Sequence, residues 1–265
     1  MRIIKYGPAL LAAALFLFAG VLLAVTNGEL DGDGHPHVGL LIFDEEGEPA
    51  WRCSGTLISP TVMITAGHCT FGASGGRVWF ESTEQEILDG GYPLGGGTAI
   101  ELTTVLTHPD YNDAFFIGRD VGVVWLSEPV IRDEYGVLPD QDQLDRLARA
   151  RGKQNQTFTA VGYGLQRINP VFIESERTRM VATPHLIQIN TPGFTGDFSL
   201  LLSNNHSTGG TCFGDSGGPN FLGDSNVIAG VTSFGINGNC AGTGGVFRLD
   251  REHVLDWLES IGLVE

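Results

Sequence analysis

Basic residues are scarce in this chain. Of 265 residues, 15 are Lys or Arg and 31 are Asp or Glu, a formal net charge of −16. Only two lysines occur, Lys5 and Lys153. Such a surface repels phosphate backbones and anionic membranes, which excludes nucleic acid as a partner. It suits solubility in an extracellular medium; a high-salt habitat or basic substrates are the alternatives. Cysteine is sparse as well. Cys53, Cys69, Cys212 and Cys240 include no C-x-x-C pair, which argues against a four-cysteine zinc site. As disulfides they allow three pairings. The chain also lacks an internal repeat and any regular strand–helix alternation, so a βαβ architecture is disfavoured.

Glycine, in contrast, is abundant, at 38 residues. Short β-branched and aromatic runs recur between the glycines, a pattern of turn-rich, all-β folds. Strands are expected at Val38–Phe43, Cys53–Ser59, Val62–Thr65, Arg77–Phe80, Ile100–Thr107 and Val121–Leu126. The last run is almost wholly apolar and should be buried on both faces. Residues 132–153 change character, with short helical spacing from Gln143 to Ala150, and read as a linker. Strands resume at Thr157–Gly164, near Met180, and at Leu186–Ile189, Ser199–Leu202, Val227–Phe234 and Val246–Leu249. A last helix should start at an Asp250 N-cap, place Val254, Trp257, Leu258 and Ile261 on one face, and stop at Gly262.

The N-terminus carries Arg2 and Lys5, then an apolar stretch from Ala9 to Val25. This pattern predicts a secretory signal peptide over 1–24, with an uncleaved membrane anchor as the alternative. Export agrees with disulfide formation.

The chemistry centres on Gly214-Asp215-Ser216-Gly217-Gly218-Pro219. A serine in a glycine turn can be a nucleophile if a base takes its proton and donors hold the oxyanion. Thr65-Ala66-Gly67-His68-Cys69 offers the base, and Arg119-Asp120 at the head of the apolar Val121–Leu126 run offers an acid. The chain order is His68, Asp120, Ser216. G-x-S-x-G also occurs in α/β-hydrolases, but those run serine, acid, histidine. Here the only histidine after Ser216 is His253.

The three elements and their order resemble the trypsin/chymotrypsin family of serine proteases, from about residue 25 to the end. The resemblance implies two six-stranded antiparallel β-barrels, the active site between them, and an outer C-terminal α-helix. An N-terminal barrel over 25–131 would hold His68 and Asp120; a C-terminal barrel over 154–265 would hold Ser216. His68 would be general base and then general acid, Asp120 would orient and stabilise the imidazolium, and Ser216 would attack. The N–H groups of Gly214 and Ser216 would form the oxyanion hole, and Ser233 would support Asp120. The implied disulfides are Cys53–Cys69 and Cys212–Cys240. Departures from the family pattern are Phe234 in place of Trp and Gly67 in place of Ala.

Resemblance also places the primary specificity pocket at Gly210, Thr211, Phe213, Ser233, Phe234, Gly235 and Gly245. No acid stands at Gly210, so preference for a bulky apolar residue before the scissile bond is expected rather than Arg or Lys. Val25-Thr26-Asn27-Gly28 resembles the freed terminus of activated members, whose ammonium would pair with Asp215. Removal of the signal peptide would then itself activate the enzyme. The expected partners are protein or peptide substrates and protein inhibitors of a secreted monomer. No cofactor or metal is implied. His35-Pro36-His37 and Asp31-Gly32-Asp33-Gly34 lack the further ligands of a metal site. The rival reading on the same fold is a catalytically silent binding protein.

Overall fold

The computed structural model describes residues 24–168 and 173–264. The expected signal segment therefore lies outside the described residues, apart from Ala24. Among the described residues, no helix is long and apolar enough to cross a membrane.

In chain order the strands are β1 (Glu29–Leu30), β2 (Val38–Glu45), β3 (Glu48–Ser59), β4 (Val62–Thr65), β5 (Gly75–Trp79), β6 (Ile100–Thr107) and β7 (Gly122–Leu126). They continue as β8 (Phe158–Gly162), β9 (Arg167–Ile168), β10 (Ile173–Glu174), β11 (Met180–Ala182) and β12 (Leu186–Thr191). The last four are β13 (Gly196–Asn204), β14 (Pro219–Leu222), β15 (Ile228–Gly235) and β16 (Gly242–Arg248).

Strands β2-β3-β4-β7-β6-β5 close into a barrel. The apolar β7 run pairs on both sides, with β4 from Val62↔Trp125 to Thr65↔Gly122 and with β6 from Leu102↔Leu126 to Thr107↔Gly122. Val123 and Val124 are fully buried, as an uninterrupted apolar strand requires.

The second half is one antiparallel eight-stranded sheet, β1-β11-β8-β14-β15-β16-β13-β12. An isolated bridge from Thr157 to His185 links the approaches to β8 and β12, so the sheet curls back on itself. It holds two more strands than expected. β1 joins β11 of this sheet, although its sequence position suggested the first barrel. β14 begins at a proline directly after the glycine turn, a position that reads as loop; its partners β8 and β15 exist only in the fold.

A large core cluster spans both halves, from Leu40 and Val123 to Phe247, Val254 and Leu258. A second lies inside the curled sheet, where Leu144 and Leu147 of the linker close over Phe158, Leu200 and Val246.

The C-terminal helix, Glu252–Ser260, buries Val254, Trp257 and Leu258 of the expected face. Its N-cap is Arg251, without a side-chain cap bond, and not Asp250. Asp250 is fully buried; it accepts from Arg248 Nε at 2.9 Å and from the Leu144 N–H at 2.8 Å. The cause is Arg248, equally buried, whose charge requires a counter-charge inside the protein. A short helix, Glu84–Asp89, was not expected. Its reciprocal Thr83–Glu86 capping box is nonetheless written in the sequence as T-x-x-E.

Candidate active site

His68 sits in a one-turn helix, Gly67–Thr70, directly after β4. Two contacts hold that turn against β3: the Cys53–Cys69 disulfide and a 2.8 Å bond from Trp51 Nε1 to the Cys69 carbonyl. Asp120 precedes β7 and is fully buried. Its carboxylate accepts from the His68 N–H at 2.8 Å and from the Ser233 hydroxyl, and lies 2.9 Å from His68 Nδ1. A buried carboxylate needs such donors. With Nδ1–H turned to Asp120, Nε2 is left as the basic nitrogen. Burial opposes a charged imidazole, but the Asp120 charge and hydrogen bond outweigh it, so the His68 pKa is raised above 6.5.

The nucleophile loop alternates. The N–H groups of Asp215, Gly217 and Gly218 bond to the carbonyls of Cys212, Thr232 and Asp215. Those of Gly214 and Ser216 bond to nothing among the described residues. Gly214 adopts φ +97°, a conformation that suits glycine and turns its N–H out of the loop. From behind, Ser54 clamps the loop: its N–H donates to the Ser216 carbonyl at 2.8 Å, and its hydroxyl to the Gly214 carbonyl at 3.0 Å. The same hydroxyl accepts from the Tyr163 N–H, so Ser54 stitches the two halves together. Sequence reading missed Ser54; the only hint was its place beside Cys53.

His68 and Ser216 line one cavity of about 580 Å³. Among the described residues, neither His68 Nε2 nor Ser216 Oγ makes a hydrogen bond of its own. Such contacts are often long until substrate tightens them. Thr211, Phe213, Ser233, Phe234 and Gly235 line the cavity as expected, together with Ile236, Asn237 and Gly238.

Gly210 and Gly245 do not line it. A β-carbon on Gly245 would lie 2.3 Å from Phe234 Cζ, because the aromatic ring packs over this glycine. A β-carbon on Gly210 would lie 2.3 Å from Asn204 Cγ and 2.6 Å from its Oδ1. The Asn204 carboxamide thus occupies the room that a side chain at 210 would take. It is held by a 2.7 Å bond from Nδ2 to the Thr211 carbonyl. Its Oδ1 is buried without a partner. Nothing in the sequence linked Asn204 to this place. The Cys212–Cys240 disulfide ties the two cavity walls.

Val25 is fully buried against Met180 and Ala182, and Thr26 bridges to Gly210. Asp215 is also fully buried and accepts from the N–H groups of Gly164 and Cys212 at 2.7 and 2.8 Å. Burial pushes its carboxyl up to about 6, and those two bonds and Arg52 offset only part of that.

Cys53, His68 and Cys69 lie close enough to share a metal, but both sulfurs are spent in the disulfide. Asp31 serves His35 and the buried Arg179, and His35 and His37 pack their rings against Phe221. Those groups therefore do structural work.

An antiparallel barrel joined to a curled antiparallel sheet, with an aspartate-paired histidine and a glycine-framed serine lining one cavity, is the frame of a serine endopeptidase that acts on peptide or protein substrates. The trypsin family model matches residues 30–258, and the chain belongs to that family. It is 30% identical to brachyurin of Leptuca pugilator over 85% of this chain and 92% of that protein. It is 28% identical to chymotrypsin of Phaedon cochleariae over 83% of this chain and 76% of that protein. The solved structure of HL collagenase shares the fold, with a TM-score of 0.71 at 21% identity, covering 91% of this chain and 99% of that one.

Proposed function

We propose that the protein is a secreted, monomeric endopeptidase that works through an acyl-enzyme. His68 takes the proton of Ser216 as it attacks and then protonates the leaving amine. Asp120, with Ser233 behind it, holds the imidazole and stabilises its charged form. The observation that carries this reading is the pattern of free N–H groups. In the run from Gly214 to Gly218, only Gly214 and Ser216 have N–H groups with no bond to a described residue, beside the cavity that Ser216 shares with His68. Two such donors suit an oxyanion that develops as the carbonyl is attacked. Labelling by a fluorophosphonate, absent in Ser216→Ala, tests it; equal labelling of both proteins would refute the role of Ser216.

Phe213, Phe234 and Ile236 line the cavity, and its described walls carry no Asp, Glu, Lys or Arg, which supports Phe, Tyr, Leu or Met before the scissile bond. Phe- and Arg-ending chromogenic peptides test this, and faster Arg turnover would overturn it. The burial of Val25, next to the Thr26–Gly210 bridge, and a buried Asp215 without an ion-pair partner among the described residues support activation by signal removal, with a new Val25 ammonium pairing with Asp215. N-terminal sequencing of the active secreted form checks it; a start several residues from Val25 would sink the idea. Protein inhibitors that present a substrate-like loop are the further partners this reading implies.

A further inference from the structure

Arg52 ends the run that leads into Cys53, and its half-buried guanidinium reaches the nucleophile loop. A β-carbon on Gly214 would lie 2.9 Å from Arg52 Nε and 3.0 Å from its terminal nitrogen. The only hydrogen bond the Arg52 side chain makes among the described residues is to Ser175 Oγ, at 3.1 Å. No carboxylate among them lies within ion-pair distance. The nearest acids are already engaged: Asp215 by two backbone N–H groups, and Glu84 by Arg177 at 2.9 Å.

Arg177 is the second cation here. It lies 5.1 Å over the Tyr92 ring, and its Nε is buried without a partner. Burial, and to a lesser degree the Arg177 charge, make it harder for Arg52 to hold its proton. Two neighbouring guanidiniums stand near two carboxylates, Glu84 bound to Arg177 and Asp215 held by backbone N–H groups, so Arg52 is left without an ion-pair partner among the described residues. An unpaired, partly desolvated cation is unfavourable until an anion arrives.

Both arginines open into a cavity of about 330 Å³, whose other walls include Trp51, Tyr92, Pro93 and Ser175. This cavity shares no wall residue with the one that holds His68 and Ser216. Gly214 follows Phe213 of the first cavity in the chain and lies against the Arg52 side chain of the second. If the first takes the side chain before the scissile bond, the second faces the other product. The reach is short, since two residues of extended chain span about 7 Å.

We propose that this second cavity binds a substrate carboxylate on the leaving-group side, within two residues of the scissile bond, with Arg52 as its main ligand and Arg177 as support. This rests on the endopeptidase reading above. The carboxylate can come from an acidic side chain or from a free C-terminus close to the cut.

The test uses the mature enzyme and quenched fluorescent peptides that are identical before the scissile bond. One set carries Glu, or its isostere Gln, at the first or second following position, with an amidated end. A further peptide carries Gln and ends in a free carboxylate two residues after the bond. Wild type should cleave one Glu peptide with kcat/KM about 10-fold above its Gln partner, the range of a charge-assisted bond partly screened by water. The ratio should fall with added salt, a readout that needs no variant. Arg52→Gln should bring it to one, and Arg52→Lys should keep part of it. A gain for the free-acid peptide alone would assign the pocket to a C-terminus. Equal rates for all peptides in wild type would overturn the carboxylate pocket and leave the peptidase reading intact. No cleavage of any peptide would overturn both.

Discussion

Placing an acid at residue 210 should fail to create Arg specificity in this protein, because the room is taken. In Gly210→Asp the new β-carbon would sit 2.3 Å from Asn204 Cγ, 2.6 Å from its Cβ and 2.6 Å from its Oδ1. Real β-carbons do not approach that closely, so Asn204 or the strand must move. Asn204 is 1% exposed and tied to the Thr211 carbonyl at 2.7 Å, and has little freedom to yield. Overpacking of this kind costs about 1–3 kcal/mol, which for a chain of this size lowers Tm by roughly 2–12 °C. Asn204→Ala would not relieve it, since the Asn204 Cβ is itself in the way. Asn204→Gly removes all three clashing atoms. The Gly210→Asp, Asn204→Gly double variant should therefore recover stability relative to Gly210→Asp and gain Arg-peptide turnover. Thermal melts and paired Phe- and Arg-ending chromogenic peptides measure both effects. If Gly210→Asp alone melts with wild type and cleaves after Arg, Asn204 does not fill this site and the reasoning is refuted.

Further outcomes follow from the same contacts. Ser233→Ala leaves the buried Asp120 one donor short, worth about 1.5–3 kcal/mol for a bond to a charged group, and should lower kcat more than it raises KM in steady-state assays. The rising limb of kcat/KM against pH should have its midpoint above 6.5, because neutral His68 is the base and its pKa is raised; Asp120→Asn should move that limb down. Asp215 has a folded pKa of about 6 against 3.8 unfolded while no ammonium pairs with it. The native state then binds the extra proton, so stability is fullest below 3.8 and is lost as pH rises through 6, by about 3 kcal/mol. A form extended by one residue before Val25 should show that loss in melts at pH 4.5 and 8, and a form starting at Val25 should not; identical pH profiles would count against the Val25–Asp215 pair.

Local chemistry is what the sequence made readable. The first-barrel strands and the apolar β7 run could be drawn from burial patterns, because their neighbours lie close in the chain. The base, acid and serine could be named because each stands in a distinctive turn. β14 and β1 could not, since a strand of four or two residues carries too little pattern of its own and is defined by its partners: β8 for β14, from Asn220↔Ala160, and the distant β11 for β1, from Glu29↔Val181. Asp250 shows the same limit. By itself it has the side chain of a helix cap; inside the protein, the buried charge of Arg248 claims it.

The sequence alone determined the residue types available for the proposed chemistry, their order, and the all-β class, since these depend on side-chain identity and short-range pattern. Tertiary structure decided what surrounds them. It set Asn204 over Gly210, Phe234 over Gly245, Ser54 behind the nucleophile loop and Arg52 beside Gly214. Ser54 and Arg52 reach the loop from a distant part of the chain, and Asn204 and Phe234, though near their glycines in sequence, meet them only through the folded backbone. Packing assigns the space left by a missing side chain to whatever neighbour the fold brings there, and the identity of that neighbour is not encoded at the glycine itself.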